Sequence, residues 1–110
     1  MNRVDLLGRI VSDITTFGNG DNTGINFTLV TSEPKLREGK KILNEKGYPE
    51  TYDEFHNIVV YGGSARAIVE HKAKGVKLFI EGSIRKSVKE ADDGTKKYYY
   101  NIVARDVTFI

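Results

Sequence analysis

A chain of 110 residues can build one hydrophobic core but is too short for two, so we expect a single domain over residues 1–110. The chain has no cysteine, which excludes a disulfide framework and a thiolate zinc site, and its apolar runs are too short for a leader or a membrane span. The net charge of +2 is weakly basic, so attraction to a polyanion depends on where the cations cluster.

The first half of the chain predicts a β-hairpin and a long polar connection. Residues 4–11 form a first strand, interrupted by Gly8, where a bulge or a close backbone approach is expected. Residues 18–24 are rich in Gly, Asn and Asp and turn the chain into a second strand over 25–31. Residues 32–53 lack clear periodicity, which indicates a projecting loop or a loosely formed hairpin.

The third predicted strand, residues 55–61, is apolar on both faces, and only one face can enter the core. If Ile58 and Val60 point inward, Phe55 and Tyr61 point outward beside basic residues from other strands. On such a surface a base stacks on a ring while its phosphate meets a cation. This interleaving of aromatic and basic residues indicates sequence-tolerant binding of single-stranded nucleic acid.

A short helix follows the third strand. Ser64 fits an N-cap, residues 65–74 carry apolar side chains near helical spacing, and Gly75 is a C-terminal stop.

Two more strands complete the chain. Residues 76–84 alternate as a half-buried strand, residues 85–97 form a basic loop with a hairpin-like bend, and residues 98–110 form the fifth strand. Three strands, a helix and two strands predict an all-β fold with one short helix, arranged as a five-stranded Greek-key barrel of the oligonucleotide-binding (OB) type.

The basic loop carries candidate phosphate ligands: Arg85, Lys86, Lys89, Lys96 and Lys97. In a barrel of this type the loop extends the binding face, although most exposed charge runs are only solvated surface. Tyr98, Tyr99 and Tyr100 follow, and strand alternation puts the middle ring on the opposite face from the other two. We expect at least one of the three to be structural.

Other chemistry has little support in the sequence. His56 and His71 lack a third ligand partner, so no metal site is predicted, and no cofactor is expected. No nucleophile has an adjacent base and no carboxylates form a convincing pair, so no catalytic residue is predicted. Phe27 is expected in the core, whereas Phe17 could lie in the core or on the surface.

Several segments together resemble the bacterial-type single-stranded DNA-binding protein family, and the likeness covers nearly all of the chain. The similar segments are NRV leading to LG at 2–8, NFTLVT at 26–31, EFHNIVVYG at 54–62, KG at 74–75 and FIEGSIR at 79–85. None is decisive alone, but their order and spacing are shared with the family.

The resemblance implies a non-enzymatic protein that coats exposed DNA strands in replication, recombination and repair, usually as a homotetramer, with a dimer as the other possibility. Phe55 and Tyr61 fall where the family stacks bases, and His56 falls near the family's subunit interface. Further binding positions are expected at Arg3, Arg85, Lys86, Lys89, Lys97 and Tyr98. The implied location is the cytoplasm and nucleoid, or the host cytoplasm for a phage or mobile element.

The chain departs from the family in its stacking residues and at its end. It has no Trp, and Lys89 falls near a position where the family often has one. Each lost stacking partner removes roughly 1–3 kcal/mol of binding per base. The fifth strand runs to Ile110 without the family's flexible linker and acidic tip, so no C-terminal tail and no tail-mediated protein partner are expected.

Two other functions remain open at this point. The same barrel could be a protein-interaction or primosomal accessory module whose aromatic face serves assembly. A cold-shock-like RNA-binding barrel is the third possibility, although the chain lacks that class's short aromatic and Gly-rich strand motifs.

Overall fold

The computed structural model describes residues 1–18, 23–71 and 74–110. Within these ranges the chain forms eight strands and one helix. They are β1 (Val4–Ile10), β2 (Thr15–Phe17), β3 (Gly24–Pro34), β4 (Leu36–Arg37), β5 (Lys40–Lys41), β6 (Thr51–Tyr61), α1 (Gly63–His71), β7 (Lys77–Glu90) and β8 (Lys96–Phe109).

The five long strands close into a barrel. Their order in the sheet is β1, β7, β8, β6, β3, with the short β2 on the outer edge, and β1 also pairs with β3 at Arg9↔Val30 and Ile10↔Leu29. All pairs are antiparallel except β6 with β8, which run parallel at Ile58↔Ile102. The predicted mostly-β barrel with one short helix is confirmed.

The barrel is filled by alternate side chains of its strands. Leu29, Ile58, Leu78 and Ile80 are completely buried, and Ile68 of α1 joins them. Because strand side chains alternate between faces, each neighbour of these residues points to the outside of the barrel. Phe27 is part of the core, as predicted.

Two β-hairpins extend beyond the barrel where loops were expected. The β3–β6 hairpin pairs without interruption from Gly24↔Tyr61 to Pro34↔Thr51, and β4 and β5 form a small sheet at its end. The hairpin alternative for residues 32–53 is therefore correct, and it is regular rather than loose. The prediction of a basic loop over 85–97 is wrong in its extent, because β7 continues to Glu90 and β8 starts at Lys96, whereas the predicted hairpin-like bend lies at residues 92–94 between them.

Glycine is required where strands approach closely. A Cβ atom on Gly8 would collide with the Val30 carbonyl oxygen, which confirms the predicted close approach. A Cβ atom on Gly82 would collide in the same way with the Val103 carbonyl oxygen, beside a bulge in the β7–β8 ladder. Both glycines let neighbouring strands curve around the barrel.

The helix begins two residues earlier than predicted. The Gly62 carbonyl accepts a hydrogen bond from the Arg66 N–H at 3.2 Å, so Gly62 rather than Ser64 occupies the capping position. Gly75 has a positive φ of 89°, and its N–H donates to the carbonyl of Ile10 in β1 at 2.7 Å, so it connects the segment after α1 to the barrel rather than capping the last turn of α1. Parts of the predicted turn over 18–24 and of the predicted helix end lie outside the described residues.

Candidate nucleic-acid interface

The two faces of β6 are divided as the sequence predicts. Ile58 and Val60 are buried, while Phe55 is 68% exposed and Tyr61 is 52% exposed on the opposite face. Exposed aromatic rings leave apolar surface in contact with water in the isolated protomer, and these two rings are the stacking positions that the sequence predicts.

Tyr61 is held in place by a neighbouring ring. Phe17 of β2 contacts it edge-on, with ring centroids 5.6 Å apart and planes at 89°. Gly24, which lies opposite Tyr61 on β3, leaves room for both rings, because a Cβ atom there would lie within 2.9 Å of each. Phe17 thus belongs to the same surface as Tyr61.

Directly paired residues in neighbouring strands point to the same face, so the register defines an outer wall that crosses four strands. One row across this wall runs from Thr28 of β3 through Asn57 of β6 and Asn101 of β8 to Arg85 of β7. The outer wall comprises Phe55, Asn57 and Tyr61 of β6, Thr28 of β3, Arg85, Ser87 and Lys89 of β7, and Lys97, Tyr99 and Asn101 of β8.

Two lysines are directly opposed on this wall. Lys89 and Lys97 are Cα partners in the β7–β8 ladder, and the Lys89 Nζ lies 5.9 Å from the Tyr99 ring centroid. Like charges in directly opposed positions destabilise a sheet, so this pair does not serve the stability of the free protein. A polyanion lying on the wall would relieve the repulsion.

The other face of the β7–β8 hairpin carries a second group of aromatic and basic residues. Lys86 and Tyr98 lie there, with the Lys86 Nζ 4.1 Å from the Tyr98 ring centroid. Tyr100 is on the same face, and all three consecutive tyrosines are exposed. The structure therefore separates Lys86 and Tyr98 from the predicted residues on the outer wall.

Arg3 lies just before β1 and close to two carboxylates. Its Nε is 3.2 Å from Asp5 Oδ1, and its guanidinium is 3.8 Å from Glu81. Asn2 exchanges two hydrogen bonds with the backbone of Ile84, which fixes this terminus alongside β7. Arg3 is thus near the strand that carries Arg85, but its charge is shared with acidic neighbours.

The outer wall has an acidic boundary beyond Phe55. Asp53 is on the same face of β6 and accepts hydrogen bonds from the hydroxyls of Ser32 at 2.7 Å and Thr51 at 2.8 Å. These bonds, with the Ser32 contribution the largest, lower the pKa of the Asp53 carboxyl below its ordinary value. At the hairpin turn, the Thr95 N–H lowers the pKa of Asp93 in the same way.

His56 lies on the opposite side of β6 from Phe55. It is half-buried, its Nε2 lies 2.9 Å from the Thr31 Oγ1, and it lines an open groove of about 620 Å³ together with Leu7 and Tyr52. The predicted interface residue is therefore separate from the predicted binding residues.

Two asparagines at the centre of the outer wall were not predicted as site residues. The Asn57 Nδ2 donates to the Asn101 Oδ1 at 2.5 Å, and these residues are 44 positions apart in the chain. Their only sequence signal is a polar residue at an outward position of each strand, and the partnership depends on the pairing of β6 with β8.

Across residues 1–18, 23–71 and 74–110, no cluster of three or more His, Asp or Glu residues is arranged to hold a metal ion. None of the helices in that part of the chain is long and apolar enough to cross a membrane.

Comparison with known proteins identifies the chain's relatives. The model of the single-strand binding protein family matches residues 1–110. The chain belongs to this family. A single-stranded DNA-binding protein of Clostridium tetani is 33% identical over all of the chain and 70% of its own length. Single-stranded DNA-binding protein 3 of Clostridium acetobutylicum is 31% identical over all of the chain and 71% of its own length.

Two solved structures share the fold. A Plasmodium falciparum SSB in complex with ssDNA matches with a TM-score of 0.77 at 20% identity, over 100% of this chain and 95% of that one. A small single-stranded DNA-binding protein from Streptomyces coelicolor matches with a TM-score of 0.72 at 11% identity, over 98% and 93% of the two chains. At these identities the likeness establishes the OB barrel.

Proposed function

We propose that this protein binds single-stranded DNA along its outer wall, largely without regard to sequence. The observation that carries the proposal is the exposure of Phe55 and Tyr61 on the same wall as Arg85, Lys89 and Lys97, in a chain that belongs to the single-strand binding protein family. Stacking suits any base because every base has a π-face, and cations track the backbone.

In the proposed complex, the aromatic rings bind the bases and the cationic side chains bind the phosphates. Bases stack on Phe55, Tyr61 and Tyr99, each stack contributing roughly 1–3 kcal/mol. Phosphates approach the opposed Lys89 and Lys97 and release bound counterions. A duplex, whose bases are already stacked and paired, offers the phosphates but not the base faces, so the wall selects unpaired strands.

The test is an anisotropy titration of fluorescein-labelled oligo-dT at NaCl concentrations from 50 to about 500 mM. We expect log K to fall linearly with log [NaCl], with a slope of roughly −0.7 for each phosphate neutralised. A duplex of equal length is the control and should bind far more weakly. Absent binding, or binding insensitive to salt, would rule the proposal out.

The proposed assembly is a homo-oligomer, with the tetramer favoured over the dimer, that protects exposed strands during replication, recombination and repair in the cytoplasm. The groove beside His56 supports an interface, because β1 meets β3 only at Arg9 and Ile10 and leaves Leu7 about half exposed next to it. Binding, not catalysis, is the role proposed for every residue of the wall.

One observation favours a second function. The back face of the β7–β8 hairpin exposes Ile84, Val88, Tyr98 and Tyr100, an apolar group that suits a protein partner. If this face binds a protein partner, truncation of Tyr98 and Tyr100 to alanine should abolish assembly with that partner and leave the affinity for DNA unchanged.

A further inference from the structure

A polar cleft lies in the middle of the outer wall. Side chains from β3, β6, β7 and β8 surround a volume of about 530 Å³, and they include Thr28, Asn57, Ser87, Lys89, Tyr99 and Asn101. This volume is within the range of roughly 300–1,000 Å³ that small-molecule sites occupy. Neither ring stacking nor phosphate binding accounts for the two amides in its lining.

The two asparagines are oriented by hydrogen bonds to each other and to β7. The Asn57 Nδ2 donates to Asn101 Oδ1 at 2.5 Å, and the Asn101 Nδ2 lies 3.4 Å from the Ser87 Oγ, to which it donates. Each amide uses one of its two N–H groups in this chain. Asn57 Oδ1 accepts no hydrogen bond from any residue that the structure describes. The cleft therefore offers a free acceptor and free donors.

Among the described residues that line the cleft, Lys89 is the charged one, and Arg85 lies in the same row as Asn101. Phosphates are attracted to these two cations. The amides are left to meet the other polar part of a single strand, the unpaired edge of a base. Every base edge combines donors and acceptors, and a carboxamide also has both, so the match does not select one base.

We propose that Asn57 and Asn101 form a base-edge subsite, which hydrogen-bonds the unpaired Watson–Crick edge of one base per protomer. The inference rests on the proposed function and deepens it, because it adds recognition of the base edge to recognition of the base face. Neighbouring bases stack on Phe55 and Tyr99, and the edge-bound base fixes the register of the strand on the wall.

The experiment compares two labelled oligonucleotides of equal length, oligo-dT and a strand in which every thymine is N3-methylthymine. The methyl group blocks the Watson–Crick edge but leaves the phosphates and the ring faces in place. We expect the wild-type chain to bind the methylated strand about 2- to 12-fold more weakly, the range for the loss of one net hydrogen bond. In Asn57→Ala, and separately in Asn101→Ala, the ratio of the two affinities should approach one.

Asn26→Ala is the matched control, because Asn26 is an asparagine on the outer face of β3 that does not line the cleft. It should keep the wild-type ratio, and thermal melting confirms that each variant is folded. Equal wild-type affinity for both strands would overturn the subsite while leaving single-strand binding intact. No salt-dependent binding of either strand would overturn both proposals. The assignment to the cleft would be overturned if the ratio of the two affinities fell to one in Asn26→Ala. It would also be overturned if both cleft variants kept the wild-type ratio.

Discussion

Phe55 exposes about two thirds of its surface in the middle of an 11-residue strand. Its neighbours in sequence alternate between the barrel interior and the outer wall, so its position is fixed by the burial of Ile58 and Val60 on the other face. A side chain placed in this way contributes little to folding and is available to a ligand. Its contribution to binding can therefore be separated from its contribution to stability.

Phe55→Ala should weaken binding to oligo-dT by roughly 5- to 150-fold, which corresponds to the loss of one stacked base. The free energy of unfolding should change by no more than about 0.5 kcal/mol, because the ring is exposed. Anisotropy titration and urea denaturation measure the two quantities. Tyr48→Ala is the control, because Tyr48 is an exposed tyrosine that belongs neither to the outer wall nor to the groove beside His56, and it should retain affinity. Equal losses in both variants would contradict a role specific to the outer wall.

Asp53 links stability to pH. The hydroxyls of Ser32 and Thr51 lower the folded pKa of Asp53 below its ordinary value, so the ionised carboxylate stabilises the folded state at any pH above that ordinary value. The contribution is lost as the pH falls through the lower folded pKa. Wild type should therefore melt above Asp53→Asn at pH 7, and the gap should narrow below about pH 4. Melting from pH 2.5 to 7 tests this.

Ser32→Ala is the matching control for Asp53, since it removes the stronger of the two hydroxyl donors. Like Asp53→Asn, it should make the melting temperature depend less on pH than it does in the wild type. A gap between wild type and Asp53→Asn that stays constant down to pH 2.5 would show that the carboxylate charge is not what stabilises the folded state.

At the scale of elements, the barrel strands were predictable and the hairpins beyond the barrel were not. Residues 76–84 have one buried face and alternate in polarity, whereas residues 55–61 are apolar on both faces and are recognised as a strand by their β-branched and aromatic side chains. Residues 85–90 and 96–100 are exposed on both faces, so the same strands continue without alternation and resemble loops in sequence. These residues are strands because β7 and β8 hydrogen-bond to each other, and a short stretch of sequence does not show that pairing.

Some residues of the candidate site could also be predicted from the sequence, and others could not. Phe55 and Tyr61 are identified by the pattern of a single strand, because two positions on the other face are obvious core residues. Lys86 and Tyr98, by contrast, can be assigned to a face only when it is known that β7 and β8 continue as paired strands beyond the barrel. The Asn57–Asn101 contact requires the parallel pairing of β6 with β8 and has no signal within either strand.

The opposed lysines of the β7–β8 hairpin predict opposite effects on stability and on binding. Lys89→Gln combined with Lys97→Gln removes a like-charge pair, so the free protein should become slightly more stable, by a few tenths of a kcal/mol. The slope of log K against log [NaCl] should become less steep by about 1.4, the value for two phosphates. Melting and salt titration measure these effects.

Lys86→Gln combined with Lys96→Gln is the matched control on the back face of the same hairpin, where Lys96 is opposed by Glu90 rather than by a lysine. It should leave the salt slope nearly unchanged and should not stabilise the protein. A larger change in slope from the back-face pair would move the path of the DNA to that side.

Gly82, at the bulge in β7, allows a test of how much the close approach of β7 and β8 matters for stability. Gly82→Ala places a Cβ atom against the Val103 carbonyl and should destabilise the fold by at least about 2 kcal/mol. Gly63→Ala is the control, since a Cβ atom there meets nothing within 4 Å and alanine is favoured in a helix. It should be neutral or slightly stabilising in urea denaturation. Similar losses in both variants would contradict the close-approach explanation.

At the scale of the whole molecule, the net charge and the shape give different information. A net charge of +2 would not by itself hold a polyanion, yet cations are concentrated along the β7–β8 hairpin. The radius of gyration is 16.6 Å, compared with about 13 Å for a compact domain of this length. The excess reflects the two projecting hairpins, which give one small barrel a surface long enough for several nucleotides.

The assembly provides the last prediction. Sedimentation equilibrium of the wild-type chain should give four times the protomer mass of 12.3 kDa, and Phe55→Ala should give the same mass because the outer wall is separate from the groove beside His56. His56→Lys should lower the mass, because it introduces a charge into that groove, whereas Glu70→Lys on α1 should not. If Phe55→Ala instead dissociates the assembly and retains full affinity for oligo-dT, the aromatic residue serves protein contacts, and the protein-interaction function replaces DNA binding at this wall.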